Sequence, residues 1–173
     1  MNRRSITLVL ACVVLSPPLA CAERWQAPDG FLSVERPDPG RYVSQTPRSP
    51  PELVRWQAPD ESIDFSVDLV PQLQRDKPTF ERMVRAYGHK GVTVERLPIR
   101  KVGEHEIWVI KTSSDTVTQL IAVIHHDKWF HRVRASGLTS KFDLASARQL
   151  IKSIEINSGS WMPPSRNPSR KVD

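Results

Sequence analysis

The sequence predicts a single α/β domain of the α+β kind: a mostly antiparallel sheet of about six strands with two covering helices, sandwich-like in arrangement. Three observations point to it. Ile63, Phe65, Val67 and Leu69 alternate with Asp64, Ser66 and Asp68, the period of a strand with one face in the core and one in water. Phe80, Val84 and Tyr87 fall on one stripe at helical spacing. Leu144, Ala147, Leu150, Ile151 and Ile154 do the same near the end of the chain, after a run of apolar strands.

The first 22 residues precede these elements and read as a signal peptide. Arg3 and Arg4 give a positive start, Ile6 to Leu15 is apolar but for Thr7 and Cys12, and Pro17-Pro18 breaks the run. Ala20-Cys21-Ala22 is then an A-x-A cleavage site, which starts the mature chain at Glu23. The apolar run is shorter than the roughly 20 residues a membrane-spanning helix needs. Two other fates stay open. Leu19-Ala20-Cys21 is similar to a bacterial lipobox, which would make Cys21 a lipidation site, although Pro18 departs from the pattern. Arg3-Arg4-Ser5-Ile6 loosely resembles a twin-arginine signal, with Asn2 and Thr7 departing from it.

Both cysteines, Cys12 and Cys21, lie in this leader. A chain starting at Glu23 therefore has no disulfide, no thiolate zinc site and no cysteine nucleophile. It keeps 151 of the 173 residues, the length of one domain with a real core. Its formal charge falls from +6 to +4 with the loss of Arg3 and Arg4. A basic protein in a cell envelope favours anionic partners; solubility alone is the simpler account.

Along the chain, Phe31 to Glu35 reads as a first strand, and Pro37 to Pro51 as a proline-rich connection that breaks any regular element. Glu52 to Ala58 is a second strand, turned by Pro59-Asp60-Glu61 into the alternating strand from Ile63. The hexapeptide Arg-Trp-Gln-Ala-Pro-Asp occurs at Arg24 to Asp29 and again at Arg55 to Asp60, and reads as two similar strand ends with a Pro-Asp turn and a packed tryptophan. Asp76 caps a helix with Pro78 in its first turn, and Gly88 stops it. Strands follow at Val92 to Leu97, Glu106 to Thr112, Thr116 to His126 and Trp129 to Ser136, the last two a hairpin around Asp127-Lys128. Phe142 to Ile154 is the second helix. The domain thus spans residues 23–156, and 157–173 is a basic Ser/Pro/Arg tail with no apolar period, expected to be disordered.

One stretch carries a resemblance. Lys-Trp-Phe-His-Arg-Val-Arg-Ala-Ser-Gly, from Lys128 to Gly137, is followed by Phe-Asp-Leu-Ala-Ser-Ala-Arg-Gln-Leu-Ile-Lys-Ser-Ile, from Phe142 to Ile154. With the order of elements and the opening Gly30-Phe31-Leu32-Ser33-Val34 and Pro37, this resembles the PsbP-like superfamily from Trp25 to Ile156. There a strand ending in small residues leads into a final helix that closes on a Ser-aliphatic pair, here Ser153-Ile154. The resemblance implies an antiparallel sheet between helices, in exported and often lipid-anchored proteins that act as assembly or accessory factors without catalysis. It carries over no functional residue.

Two constellations can carry chemistry. In a hairpin with a two-residue turn, His126 lies opposite Trp129 and His131 opposite Ile124. That places His126 and His131 diagonally on one face, roughly 7 to 8 Å apart. With Asp127 they would make a weak zinc or copper site. The same face carries Leu120, Ala122, Ile124 and Val133, so packed, hydrogen-bonded core histidines are the simpler account. The opposite face shows His125, Phe130, Arg132 and Arg134 beside Ile121 and Val123, where arginines flanking an aromatic suit an anionic partner. A helix-covered face with paired arginines explains the same pattern.

Other motifs are absent or weaker. Gly88-His89-Lys90-Gly91 resembles the G-x-x-G loop of KH domains but joins a helix to a strand, so a helix stop explains it better. There is no G-x-S-x-G, no phosphate loop and no H-E-x-x-H, since Val109 stands where the second histidine would follow His105-Glu106. Asp64 and Asp68 share a strand face, which a solvated polar surface explains.

The sequence thus reads as an exported, non-catalytic envelope protein, periplasmic or secreted, acting as an accessory, assembly or binding factor and needing no cofactor. Phe130, Arg132 and Arg134 are the expected contact with another envelope protein or an anionic surface; nucleic acid is not expected, and a membrane only if Cys21 carries lipid. The alternative is a small metal-dependent hydrolase or metal-binding protein using His126, His131 and Asp127. A small-ligand carrier under the proline-rich connection is a third class, with no residue that singles it out.

Overall fold

A computed structural model describes residues 23–48, 50–72, 78–157 and 159. The leader with Cys21, the expected cap Asp76 and nearly all of the basic tail lie outside the described residues. In chain order the strands are β1 (Arg24–Gln26), β2 (Leu32–Glu35), β3 (Val43–Gln45), β4 (Glu52–Gln57), β5 (Ile63–Pro71), β6 (Thr93–Arg96), β7 (Arg100–Val102), β8 (His105–Ser113), β9 (Val117–His126), β10 (Trp129–Leu138) and β11 (Glu155–Ile156). The helices are α1 (Phe80–Tyr87) and α2 (Leu144–Lys152).

The strands form two antiparallel sheets, not one sheet of about six. The larger has eight strands in the order β3-β4-β5-β10-β9-β8-β6, with β7 pairing further along β8. The smaller has the order β1-β2-β11. The additional strands, β1, β3, β7 and β11, are two or three residues long, too short to show a period in sequence. One of them, β3, interrupts the proline-rich connection expected to be irregular, and Tyr42 beside it is buried edge-to-face on Phe65, at 4.8 Å between ring centroids.

Alternation decides which side chains meet. Phe65, Val67, Leu120, Ala122, Ile124, Val133 and Ala135 project from the inner face of the large sheet into the main core. Leu32 and Val34 of the small sheet, Phe31 just before them, and Ala147, Leu150 and Ile151 of α2 cover them. The outer face carries a second cluster of Ile110, Ile121 and Val123, covered by Phe80, Met83, Val84 and Tyr87 of α1. Both helices are capped by residues next to their starts. Thr79 accepts the Arg82 N–H at 3.3 Å, one turn later than the cap expected at Asp76, and Asp143 accepts the Ser146 N–H at 3.0 Å, so α2 begins two residues inside the expected span. Gly88 does end α1, but in an extended conformation. At the other end of α2, Arg100 of β7 donates to the carbonyls of Ile151, Lys152 and Ile154 at 3.1, 2.7 and 3.2 Å, so a cation satisfies acceptors the helix leaves open.

The repeated hexapeptide builds the same hairpin turn twice. Ala27 N–H donates to Leu32 O and Gly30 N–H to Ala27 O; Ala58 N–H donates to Ile63 O and Glu61 N–H to Ala58 O, all between 2.8 and 2.9 Å. Asp29 and Asp60 each accept the N–H two residues on, at 3.1 Å. Trp25 and Trp56 then meet edge-to-face at 6.3 Å. Both turns need a left-handed residue, which is Gly30 at φ 74° in the first and Glu61 at φ 57° in the second. A non-glycine residue there is strained. Glu61→Gly should therefore stabilise the protein by about 1 kcal/mol, raising Tm by roughly 3 °C in a thermal melt; a lower Tm would contradict the strain argument.

Candidate functional site

At one end of the large sheet, three histidines from three strands gather on Phe31. The hairpin register is as the sequence predicts, with His126 opposite Trp129 and His131 opposite Ile124. Phe31 stacks on His126 at 4.3 Å and on His131 at 4.6 Å, and His105 meets Phe31 edge-on at 5.1 Å and His126 at 5.3 Å. His131 has a side chain 0% exposed and donates its Nε2–H to Asp29 Oδ2 at 2.6 Å, while its Nδ1 has no hydrogen-bond partner among the described residues. Burial pushes the Asp29 carboxyl up, but the bond and attraction of His131 and the Phe31 N–H outweigh it and hold Asp29 below the ordinary carboxylate value. Among the described residues no group of three or more His, Cys, Asp or Glu side chains is placed to hold a metal ion. His126, Asp127 and His131 are accordingly not gathered as one donor set; Asp127 takes the tight hairpin turn at φ 53°.

This cluster makes the fold sensitive to acid. Burial, then repulsion from His105 and His131, hold His126 below its ordinary value of 6.5, against a smaller pull from Asp127. The unfolded chain therefore takes up that proton at a higher pH than the folded chain does. Stability is full above about 6.5 and falls as the pH drops toward the folded value. Melting curves between about pH 7.5 and 5 should show a falling Tm, with a shallower slope in His126→Asn; equal slopes would contradict this. Asp29 acts in a separate window, its contribution being lost only as pH falls below 3.8 through its depressed folded value.

On the outer face, the residues expected to meet a partner are partly covered and paired. Arg132 Nε donates to Asp68 Oδ2 at 2.6 Å and Nη1 to the Tyr87 hydroxyl at 3.4 Å. Burial disfavours the Arg132 charge, and Tyr87 and Asp68 more than restore it. Arg134 lies 4.0 Å from Glu52, and Arg55 binds Asp64 at 3.3 Å. Asp64 and Asp68 thus belong to cross-strand ion pairs and not to a solvated face, Asp68 having a side chain 2% exposed. The pairing follows from register, which sets Arg132 opposite Asp68 and Arg134 opposite Ser66.

What stays open on this face is a groove of about 260 Å³ beside α1. Its floor is Val123, Phe130 and Trp108; Met83, Ala86 and Tyr87 form the helical wall, and Val70 and Gln72 the wall at β5. Arg82 and Arg132 line it as well, Arg132 through its ion pair with Asp68. The structure thus brings Phe130 and Arg132 into one site and leaves Arg134 outside it. His125 flanks the groove, bonded to Gln72 at 2.7 Å and set against Phe130 at 5.1 Å. Trp108, Met83 and Arg82 carry no sequence signal that joins them to Phe130, because only the docking of α1 on the β8–β9–β10 face does so. His105 and Asp29 likewise read as a lone histidine and a turn residue until the sheets are assembled.

An antiparallel sheet between a helix on one face and a small sheet with a second helix on the other defines an α+β protein, and its fold is PsbP-like. The solution structure of cyanobacterial PsbP (CyanoP) from Synechocystis sp. PCC 6803 matches with a TM-score of 0.56 and 11% sequence identity, over 82% of this chain and 97% of that one. A crystal structure from Bacteroides thetaiotaomicron VPI-5482 matches with a TM-score of 0.50 and 10% identity, over 79% of this chain and 48% of that one, so the chain spans about half its length. At these identities the likeness is one of fold. No protein-family model and no curated protein matches the chain.

Proposed function

We propose that the protein is an exported, non-catalytic accessory factor of the cell envelope that holds a partner protein in the groove along α1. The observation that carries this reading is the groove itself, an aromatic and apolar floor flanked by two guanidinium groups. The leader sequence supports export, with Cys21 as a lipid anchor point if the lipobox is used, and the PsbP-like fold agrees with an accessory role. Among the described residues no helix is long and apolar enough to cross a membrane.

Ala86 is exposed on the groove wall, so Ala86→Trp fills the groove without touching the core. Co-purification from the host's cell envelope should yield a salt-sensitive protein partner with the wild type and at least about tenfold less with Ala86→Trp, at unchanged Tm. The same yield from both proteins would overturn the reading.

A further inference from the structure

We propose that the exposed face of α2 lies on the anionic headgroups of a bilayer, so that the groove along α1 points away from the membrane. This rests on the lipobox reading of Cys21 as the anchor point, and it goes beyond the partner site by fixing which side of the protein meets lipid.

The tether ends beside α2. Arg24, the first residue of β1, follows Cys21 by three residues, a reach of at most about 11 Å. Its guanidinium donates to Ser153 O at 2.7 Å, at the C-cap of α2, and pairs with Glu155 at 3.1 Å just beyond it. A lipid on Cys21 therefore brings headgroups within reach of the last turn of α2. The two helices lie on opposite sides of the large sheet, since α2 packs with the small sheet on its inner face and α1 covers the outer one. A bilayer on the α2 side leaves the groove open to a partner.

Charge at that end is unevenly placed. Arg24 pairs with Glu35 and Glu155, Arg36 pairs with Glu23, and Arg100 sits on the carbonyl end of α2, so these three cations meet three carboxylates and cancel. The surplus is on the helix. From Leu144 to Lys152 it has no acidic residue, and it exposes Ala145, Arg148, Gln149 and Lys152. Arg148 and Lys152 stand one turn apart and make no ion pair among the described residues. With Ser153 they line a hollow of about 510 Å³, where the Glu35 carboxylate is held by Arg24 at 3.5 Å. Each such cation near an anionic surface favours contact about fivefold, and the pair about 25-fold. That is too little to hold a protein on a membrane and enough to orient one already held there by lipid.

The test couples the chain from Cys21 to Asp173, which holds every described residue and has Cys21 as its one thiol, to maleimide lipids in vesicles. Benzoylphenylalanine is placed at position 145 on α2 or at position 86 in the groove. With about one third phosphatidylglycerol in phosphatidylcholine, position 145 should crosslink lipid at least about tenfold more than position 86, and the excess should fade in phosphatidylcholine alone and as salt rises. Arg148→Gln with Lys152→Gln should reduce that crosslinking about tenfold at unchanged Tm. Arg85→Gln with Lys90→Gln, an equal charge change at exposed residues around the end of α1, should alter it less than about twofold. Equal lipid crosslinking from the two positions, or equal loss from the two double variants, overturns the proposal, as does an exported chain that starts at Glu23 and carries no lipid. If position 145 gives no excess while Ala86→Trp still abolishes co-purification, the membrane face falls and the partner-site reading stands. If co-purification is also unaffected, both fall.

Discussion

Gly137→Ala should unfold roughly 10 °C below the wild type, a loss of about 3 kcal/mol. Gly137 lies in β10, the strand between β5 and β9, opposite Ile63 on one side and Thr118 on the other. A Cβ there would stand 2.5 Å from Ser62 O and 3.1 Å from Ile63 Cα, both backbone atoms. Neither is the end of a flexible side chain, so β5 must move. That movement takes with it the bond from Leu138 N–H to Ser62 O and the register that sets Arg132 against Asp68. The run Ala-Ser-Gly at 135–137, part of the resemblance seen in sequence, thus has a steric cause at its last residue. A thermal melt within about 2 °C of wild type would show that the strands part more easily than this geometry implies.

Asp29→Ala should cost about 3 kcal/mol, because it strands a buried histidine. The Asp29 side chain is 3% exposed and that of His131 is 0%, and they lie 102 residues apart in sequence. The loss also frees the Phe31 N–H at the centre of the cluster. Replacing both partners, Asp29→Ala with His131→Leu, should recover most of the stability, since no uncompensated polar group then remains. Urea unfolding of the two single variants and the double variant checks this. Additive losses would mean that the pair does not couple the small sheet to the large one.

Much of the fold is legible in sequence because its longest strands have one buried face. Ile63, Phe65 and Val67 alternate as predicted and are buried as predicted, and the hairpin at Asp127-Lys128 has the predicted register. That register also placed His131 on the core face, where it is fully buried. The missed strands β1, β3, β7 and β11 have two or three residues, held by pairing with distant segments that no local period reports. The candidate site was half legible. Phe130 and Arg132 share a face by alternation alone, but their neutralising partner Asp68 is 64 residues away from Arg132, and the groove exists only because α1 docks over that face. The solvated acidic face expected at Asp64 and Asp68 is a partly buried set of cross-strand ion pairs for the same reason.

Site-specific photocrosslinking tests the central claim most directly. A benzoylphenylalanine at position 86, on the groove wall, is compared with one at position 148, exposed on α2 away from the groove. The account predicts one protein partner crosslinked in the cell envelope from position 86 and none from position 148. Equal crosslinking from both positions, or crosslinking from position 148 alone, would contradict it.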